Sequence, residues 1–236
     1  MNLFEADENK KSDKAKEKPH YHGHRKRLKD RFIKSLETGA LNSVADYELL
    51  EIILFSAFPR KDVKPLAKKL LSKYGSLAAI IKADNSDILN DSELNQSAIC
   101  QIKAIHETSM RILKEEAESR PVIQSWKALL DYCKAAMGGS KKEEFRILFL
   151  NQKYRLIADE VQQRGTVDQT PVYPREVVKR ALDLSASSVI LTHNHPSGDP
   201  QPSKADIEIT EQIEAALAAV EIKIHDHLII AKDKHF

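Results

Sequence analysis

The chain has 236 residues, 42% of them apolar, and a mean hydropathy of −0.44. That length suffices for one large core or two smaller ones, and no apolar run reaches the 18 or more residues of a membrane span. Net charge is only +2, but residues 10–34 carry 11 Lys and Arg against Asp13, Glu17 and Asp30, a local excess of +8 that leaves the rest of the chain at −6.

The opening residues MNLFEADENKKSDK hold no apolar stretch of the kind a secretory signal needs, so cytoplasmic residence is the expectation. Residues 1–19 are polar, charged and aperiodic, and are expected to form a disordered basic tail. His20, His22 and His24 lack an acidic or cysteine partner nearby, so their clustering is read as adventitious. From Arg25 to about Glu118 the spacing is helical throughout. Leu28, Phe32 and Leu36 share one face, as do Leu49, Ile52 and Ile53. Asp46 is expected to cap the second helix, and Val63–Tyr74 to form another that stops at Gly75. Ser76–Ile81 and Asn95–Leu113 continue the pattern, giving an all-helical domain over 20–118.

Arg120-Pro121 marks a boundary, because the residue before proline is pushed out of the helical region. The second domain, 119–236, reads as a helix over Val122–Met137, strands over Glu143–Leu150 and Tyr154–Gln162 joined by a turn, and a helix over Val172–Ala186. A short apolar strand at Ser188–Thr192, an amphipathic helix at Lys204–Val220 and a last strand at Ile222–Ala231 follow. The order α-β-β-α-β-α-β implies a mixed sheet with helices on its faces, so the fold class is α/β. Cys100 and Cys133 show neither metal-type spacing nor a disulfide framework, and both are expected reduced on helices.

The chemistry concentrates in residues 193–206, His193-Asn-His195-Pro-Ser-Gly-Asp-Pro-Gln-Pro-Ser203-Lys-Ala-Asp206. In extended backbone, residues i and i+2 point the same way, so both imidazoles at the end of the strand can converge on one ion. The proline-rich loop turns the chain back, and Asp206 arrives in the first turn of the next helix, where a carboxylate is favoured by the helix dipole. His193, His195 and Asp206 are therefore the candidate ligands of one Zn²⁺ per chain, with a fourth tetrahedral position left open as in catalytic zinc sites. Ser203-x-x-Asp206 also reads as a capping box for the same helix.

The spacing His-x-His-x7-Ser-x2-Asp matches the JAMM (MPN-plus) metalloprotease signature without departure. Together with Tyr173–Leu182, His193–Gly198, Asp226–Ile229, Gly23–Leu28, Tyr47–Leu50 and Pro59–Pro65, the chain resembles the bacterial RadC family over nearly all of its length beyond residue 20. The resemblance implies a JAMM/MPN, cytidine deaminase-like second domain and a helix-hairpin-helix-like first one. It also implies a zinc hydrolase acting on a peptide or isopeptide bond of a protein or peptide substrate. In that reading Ser203 stabilises the oxyanion, and a glutamate on the strand opening the domain is the general base. Strand alternation separates Glu143 from Glu144, and the family pattern, a glutamate two residues before an apolar position, favours Glu143 with Glu144 as the alternative.

A competing expectation follows from the description of RadC proteins as DNA-repair factors. The candidate DNA contacts are Arg25, Lys26, Arg27, Lys29 and Arg31, although the stretch Asp91–Ala98 lacks the glycines by which helix-hairpin-helix modules hold phosphates. A nucleotide deaminase is excluded, because Cys100 and Cys133 cannot supply its Pro-Cys-x-x-Cys ligands. His225, Asp226 and His227 are read as structural or supporting, with His225 and His227 on one face and Asp226 placed to orient a ligand histidine. Arg164-Gly165-Thr166 and Arg175 are candidate borders of a substrate groove. The oligomeric state has no signature in the sequence.

Overall fold

The structure, a computed structural model, describes residues 23–40, 44–165 and 172–236. The expected tail at 1–19, His20, His22 and Thr166 lie outside these residues. Six helices come first: α1 (His24–Glu37), α2 (Asp46–Leu54), α3 (Lys64–Tyr74), α4 (Leu77–Lys82), α5 (Asn85–Leu89) and the long α6 (Gln96–Ser119). Their starts follow local chemistry. Ser76, Asp84 and Asn95 each accept a hydrogen bond from a backbone N–H in the first turn of α4, α5 and α6. Asp46 is the first residue of α2 and not its cap; Glu48 reaches back to the Ala45 backbone N–H at 3.1 Å and takes over that task. α3 ends where Gly75 takes φ +90°, a conformation that glycine alone adopts at little cost.

Leu28, Leu50, Leu54, Leu66, Leu70, Ile80, Ile88, Ala98 and Ile102 close a buried core among these helices. α6 is longer than that core. Its far end carries Ala117 into a second core, with Met110 and Leu113 packed alongside.

The sheet half begins with a 3-10 turn at Val122–Gln124, and α7 (Trp126–Met137) starts only at Trp126, where a single helix from Val122 was expected. Strands β1 (Glu144–Leu150), β2 (Leu156–Arg164), β3 (Ser188–Asn194), β4 (Lys223–Ala231) and a two-residue β5 (Lys234–His235) form one sheet in the order β2-β1-β3-β4-β5. α8 (Pro174–Asp183) and α9 (Lys204–Ala218) complete the half. α8 is shorter at both ends than the expected Val172–Ala186, and β3 is longer, running through both His193 and Asn194.

Only the β3–β4 pairing is parallel; the other three are antiparallel. Alternation divides the sheet between two cores. Leu148, Leu150, Ile190, Leu228 and Ile230 face α7, whereas Ile147, Phe149, Val189 and Leu191 face α8 and α9. Gly138, just past α7, is required by a close approach: an added Cβ would stand 2.6 Å from the Lys134 carbonyl oxygen and 2.8 Å from that of Lys232. No helix among the described residues is long and apolar enough to cross a membrane.

Candidate metal centre

The carboxyl end of β3 meets the amino end of β1, with Phe145 opposite His193. His193 is the penultimate residue of β3 and lies on the face covered by α9. His195 follows the strand, its backbone N–H donating to the Ile230 carbonyl at 2.8 Å. The loop then folds back, so that the Asp199 carbonyl accepts a hydrogen bond from His195 Nδ1 at 2.8 Å. Asp206 stands in the first turn of α9. The predicted capping box is present: Ser203 N donates to Asp206 Oδ2 at 2.7 Å, and Asp206 N to Ser203 Oγ at 3.2 Å.

These turns bring three donor atoms together. His193 Nε2 is 2.9 Å from His195 Nε2 and 3.1 Å from Asp206 Oδ1, and His195 Nε2 is 3.4 Å from Asp206 Oδ2. Both histidines spend their Nδ1 on other partners, so both Nε2 lone pairs face the carboxylate. Three electron-pair donors directed at one point repel one another unless a cation sits between them. Tetrahedral zinc with bonds of about 2.0–2.1 Å holds its ligands about 3.3–3.4 Å apart, close to the observed spacings. The residues present fit zinc.

The tautomer of His193 is set by a chain of hydrogen bonds through His227, one of the residues read as structural or supporting, and Thr210, which sequence reading missed. Thr210, one turn after Asp206 on α9, gives its hydroxyl proton to the Asp206 carbonyl, so its oxygen accepts from His227 Nδ1 at 2.7 Å. His227 Nε2 then accepts from His193 Nδ1–H at 2.8 Å, which leaves the His193 Nε2 lone pair for a metal. Burial and the neighbouring His193 press the His227 pKa down to about 4, so this acceptor is neutral at physiological pH.

Asp226 was expected to orient a ligand histidine; His227 does so instead. A bulge explains the exchange. Ile224 pairs with Val189 and Asp226 with Ile190, so His225 is the extra residue and the alternation flips beyond it. His225 contacts the Tyr154 ring, whereas His227 turns to the site.

Glu143 and Glu144 both border the cavity beside His193 and Asp206 but differ in their partners. Glu144 faces α7 and pairs with Arg146, which also holds Asp159, itself bonded to Tyr132. Glu143 makes no hydrogen bond or ion pair through its side chain among the described residues and borders a cavity of about 190 Å³ shared with His193 and Asp206. Glu144, Phe145, Val172, Ala205 and Ile209 line the same cavity, and of the suggested groove border it takes Gly165. Arg175 instead stacks over Tyr173 beside Glu176. Ser203 is exposed and is not among the lining residues; its oxygen is engaged by the α9 cap.

The basic helix is partly spent inside the molecule. Arg25 donates to the carbonyls of Phe55, Phe58 and Lys61 and stacks on Phe55, and Arg31 pairs with Glu48. Lys26, Arg27 and Lys29 are exposed. His24 meets the buried Glu51 at 2.8 Å. In the turn before α6 the Asp91 carboxylate is filled by Lys73, Tyr74 and the Glu93 backbone N–H.

Compared with models of known families, residues 123–236 match the one described as the RadC-like JAB domain.

Proposed function

Because the chain is a RadC family protein with an MPN/JAB-type domain, we propose that it is a zinc-dependent hydrolase of the JAMM type, cleaving a peptide or isopeptide bond. One observation carries the reading: His193 Nε2, His195 Nε2 and Asp206 Oδ1/Oδ2 converge within 2.9–3.4 Å, with Glu143 on the wall of the adjoining cavity.

Zinc bound there would supply a Lewis acid and bring the pKa of a coordinated water down to about 7. His193, His195 and Asp206 would hold it with one negative charge between them. Glu143 takes the proton of the attacking water and returns it to the leaving amine. The Ser203 oxygen accepts the Asp206 N–H while its own proton stays available for a developing oxyanion. Phe145, Val172 and Ile209 offer an apolar wall to a substrate side chain and keep bulk water from the reacting carbonyl.

Metal analysis of the purified protein, with cleavage of a mixed peptide and isopeptide library, tests the proposal. Expected are about one zinc per chain, its loss in the His193→Ala, Asp206→Ala double variant, and in Glu143→Gln a rate lower by about 10²–10⁴ with zinc retained. Substoichiometric zinc in the wild type, or full cleavage by Glu143→Gln, would sink it.

A further inference from the structure

The residue between the two ligand histidines is Asn194, and its side chain takes no part in binding the ion. It points to the α7 face of the sheet, opposite to His193, and is 2% exposed. The main-chain ladder between β1 and β3 ends at the pair Phe145–His193, and beyond it the His195 N–H has gone to Ile230 on β4. The lead into β1 therefore has no β3 backbone to pair with. The Asn194 amide replaces it: Oδ1 accepts from the Glu144 N–H at 2.8 Å, and Nδ2 donates to the Lys142 carbonyl at 3.1 Å. From the other side Gly165 N–H donates to the Glu143 carbonyl at 3.0 Å. Main-chain bonds thus hold residues 142, 143 and 144 in succession, with Glu143 at the centre.

We propose that Asn194 is a positioning residue that prolongs the β1–β3 ladder through its side chain and so aims the Glu143 carboxylate into the cavity beside His193 and Asp206. The inference rests on the zinc hydrolase reading for what Glu143 does there. A primary amide of this length carries a donor and an acceptor in the geometry of a peptide group. Aspartate would set a second acceptor against the Lys142 carbonyl, and alanine would leave the Glu144 N–H without its acceptor, while the Lys142 carbonyl would keep only its bond from the Ser140 hydroxyl at 2.8 Å. Tying the general base to the ligand strand fixes its position relative to the ligands by about one residue's length of backbone.

Two measurements on the full-length chain decide it. In the metal-free protein, hydrogen exchange at the Glu144 amide is expected to quicken about tenfold in Asn194→Ala, the loss of one net hydrogen bond, with the Leu191 amide in β3 unchanged. With Co²⁺ in place of zinc and glutamate carboxyl carbons labelled with ¹³C, the Glu143 resonance is identified by its disappearance in Glu143→Gln. Its paramagnetic relaxation is expected to fall several-fold in Asn194→Ala while one Co²⁺ per chain is retained. Asn194→Leu, close to asparagine in shape but with neither donor nor acceptor, serves if the alanine variant does not fold, and should give the same change. Unaltered Glu144 exchange, or faster exchange with unaltered Glu143 relaxation, overturns the positioning role. A wild type that takes up no Co²⁺ overturns instead the zinc reading and the task assigned to Glu143, a result that the exchange measurement keeps separate.

Discussion

At the scale of single residues, the ligand set is local and the groups that orient it are not. His193, His195 and Asp206 fall within fourteen residues, so strand periodicity and one helix start were enough to bring them together on paper. His227 required knowledge that β3 and β4 run parallel and that a bulge at His225 reverses the alternation. Nothing in Ile222–Ala231 as a string announces either. Its role carries a prediction: His227→Gln should weaken zinc binding about 10–100-fold, since the bond that fixes the His193 tautomer is lost, as competitive chelator titration would measure. The same substitution has a pH signature in the metal-free protein. The folded-state pKa of His227, about 4, lies below the unfolded value of about 6.5. Between these values the unfolded chain binds the extra proton, so the stability due to neutral His227 is fully present above about pH 6.5 and is lost as pH falls toward 4. Denaturant titrations across that window should show a stability slope shallower in His227→Gln than in wild type by up to ~1.4 kcal/mol per pH unit. Equal slopes would mean that His227 is not the group responsible.

At the scale of elements, the kinds and order of helices and strands in the sheet half were legible, because period 3.6 and period 2 are distinct over seven or more residues. The ends were less so. Val122–Gln124 entered the helical reading through apolar spacing alone, but the Gln124 N–H returns to the Pro121 carbonyl and the Ser125 N–H to that of Val122, each three residues back, so the backbone makes a 3-10 turn there and α7 waits until Trp126. The two-residue β5 is too short to leave a pattern in sequence. Gly138 looks in sequence like an ordinary helix stop, yet the constraint on it is tertiary: the turn between β4 and β5 passes so near that no Cβ fits between Lys134 and Lys232. Gly138→Ala should therefore cost about 1–3 kcal/mol, as overpacking does. Thermal unfolding would register this as a lower Tm, whereas Gly165→Ala, where a Cβ meets no atom within 4 Å and only the φ of +136° is strained, tests the backbone contribution alone. A smaller loss at 138 than at 165 would contradict the packing account.

At the scale of the whole molecule, the sequence suggested two domains meeting near residue 119, and the composition on either side gave no hint of how firmly they join. α6 supplies the join: Ala98 and Ile102 are buried in the helical core, and two residues before its end the same helix places Ala117 in the core under the sheet. Lys141 adds an ion pair to Asp87 at 2.6 Å across the halves, and the Lys82 carbonyl lies 3.4 Å from where a Cβ on Gly139 would be. A continuous helix cannot lose one half without exposing the apolar face that the other half orders, so the described residues should unfold in one transition. Zinc makes this testable. At 100 times its Kd it should stabilise the folded chain by about 2.7 kcal/mol through binding the native state alone. The single tryptophan, Trp126, reports on α7 in the sheet half, and ellipticity at 222 nm reports chiefly on the helices. With one cooperative unit, both signals shift upward together when zinc is added and downward together when a chelator removes it, although the helical core touches no ligand. Replacing Thr108, midway along α6, by proline costs about 3 kcal/mol or more in a helix interior and removes the mechanical link. In that variant zinc should raise the tryptophan midpoint and leave part of the 222 nm transition behind. Coincident zinc-shifted transitions in Thr108→Pro would show that the halves are coupled by their interface and not by the helix.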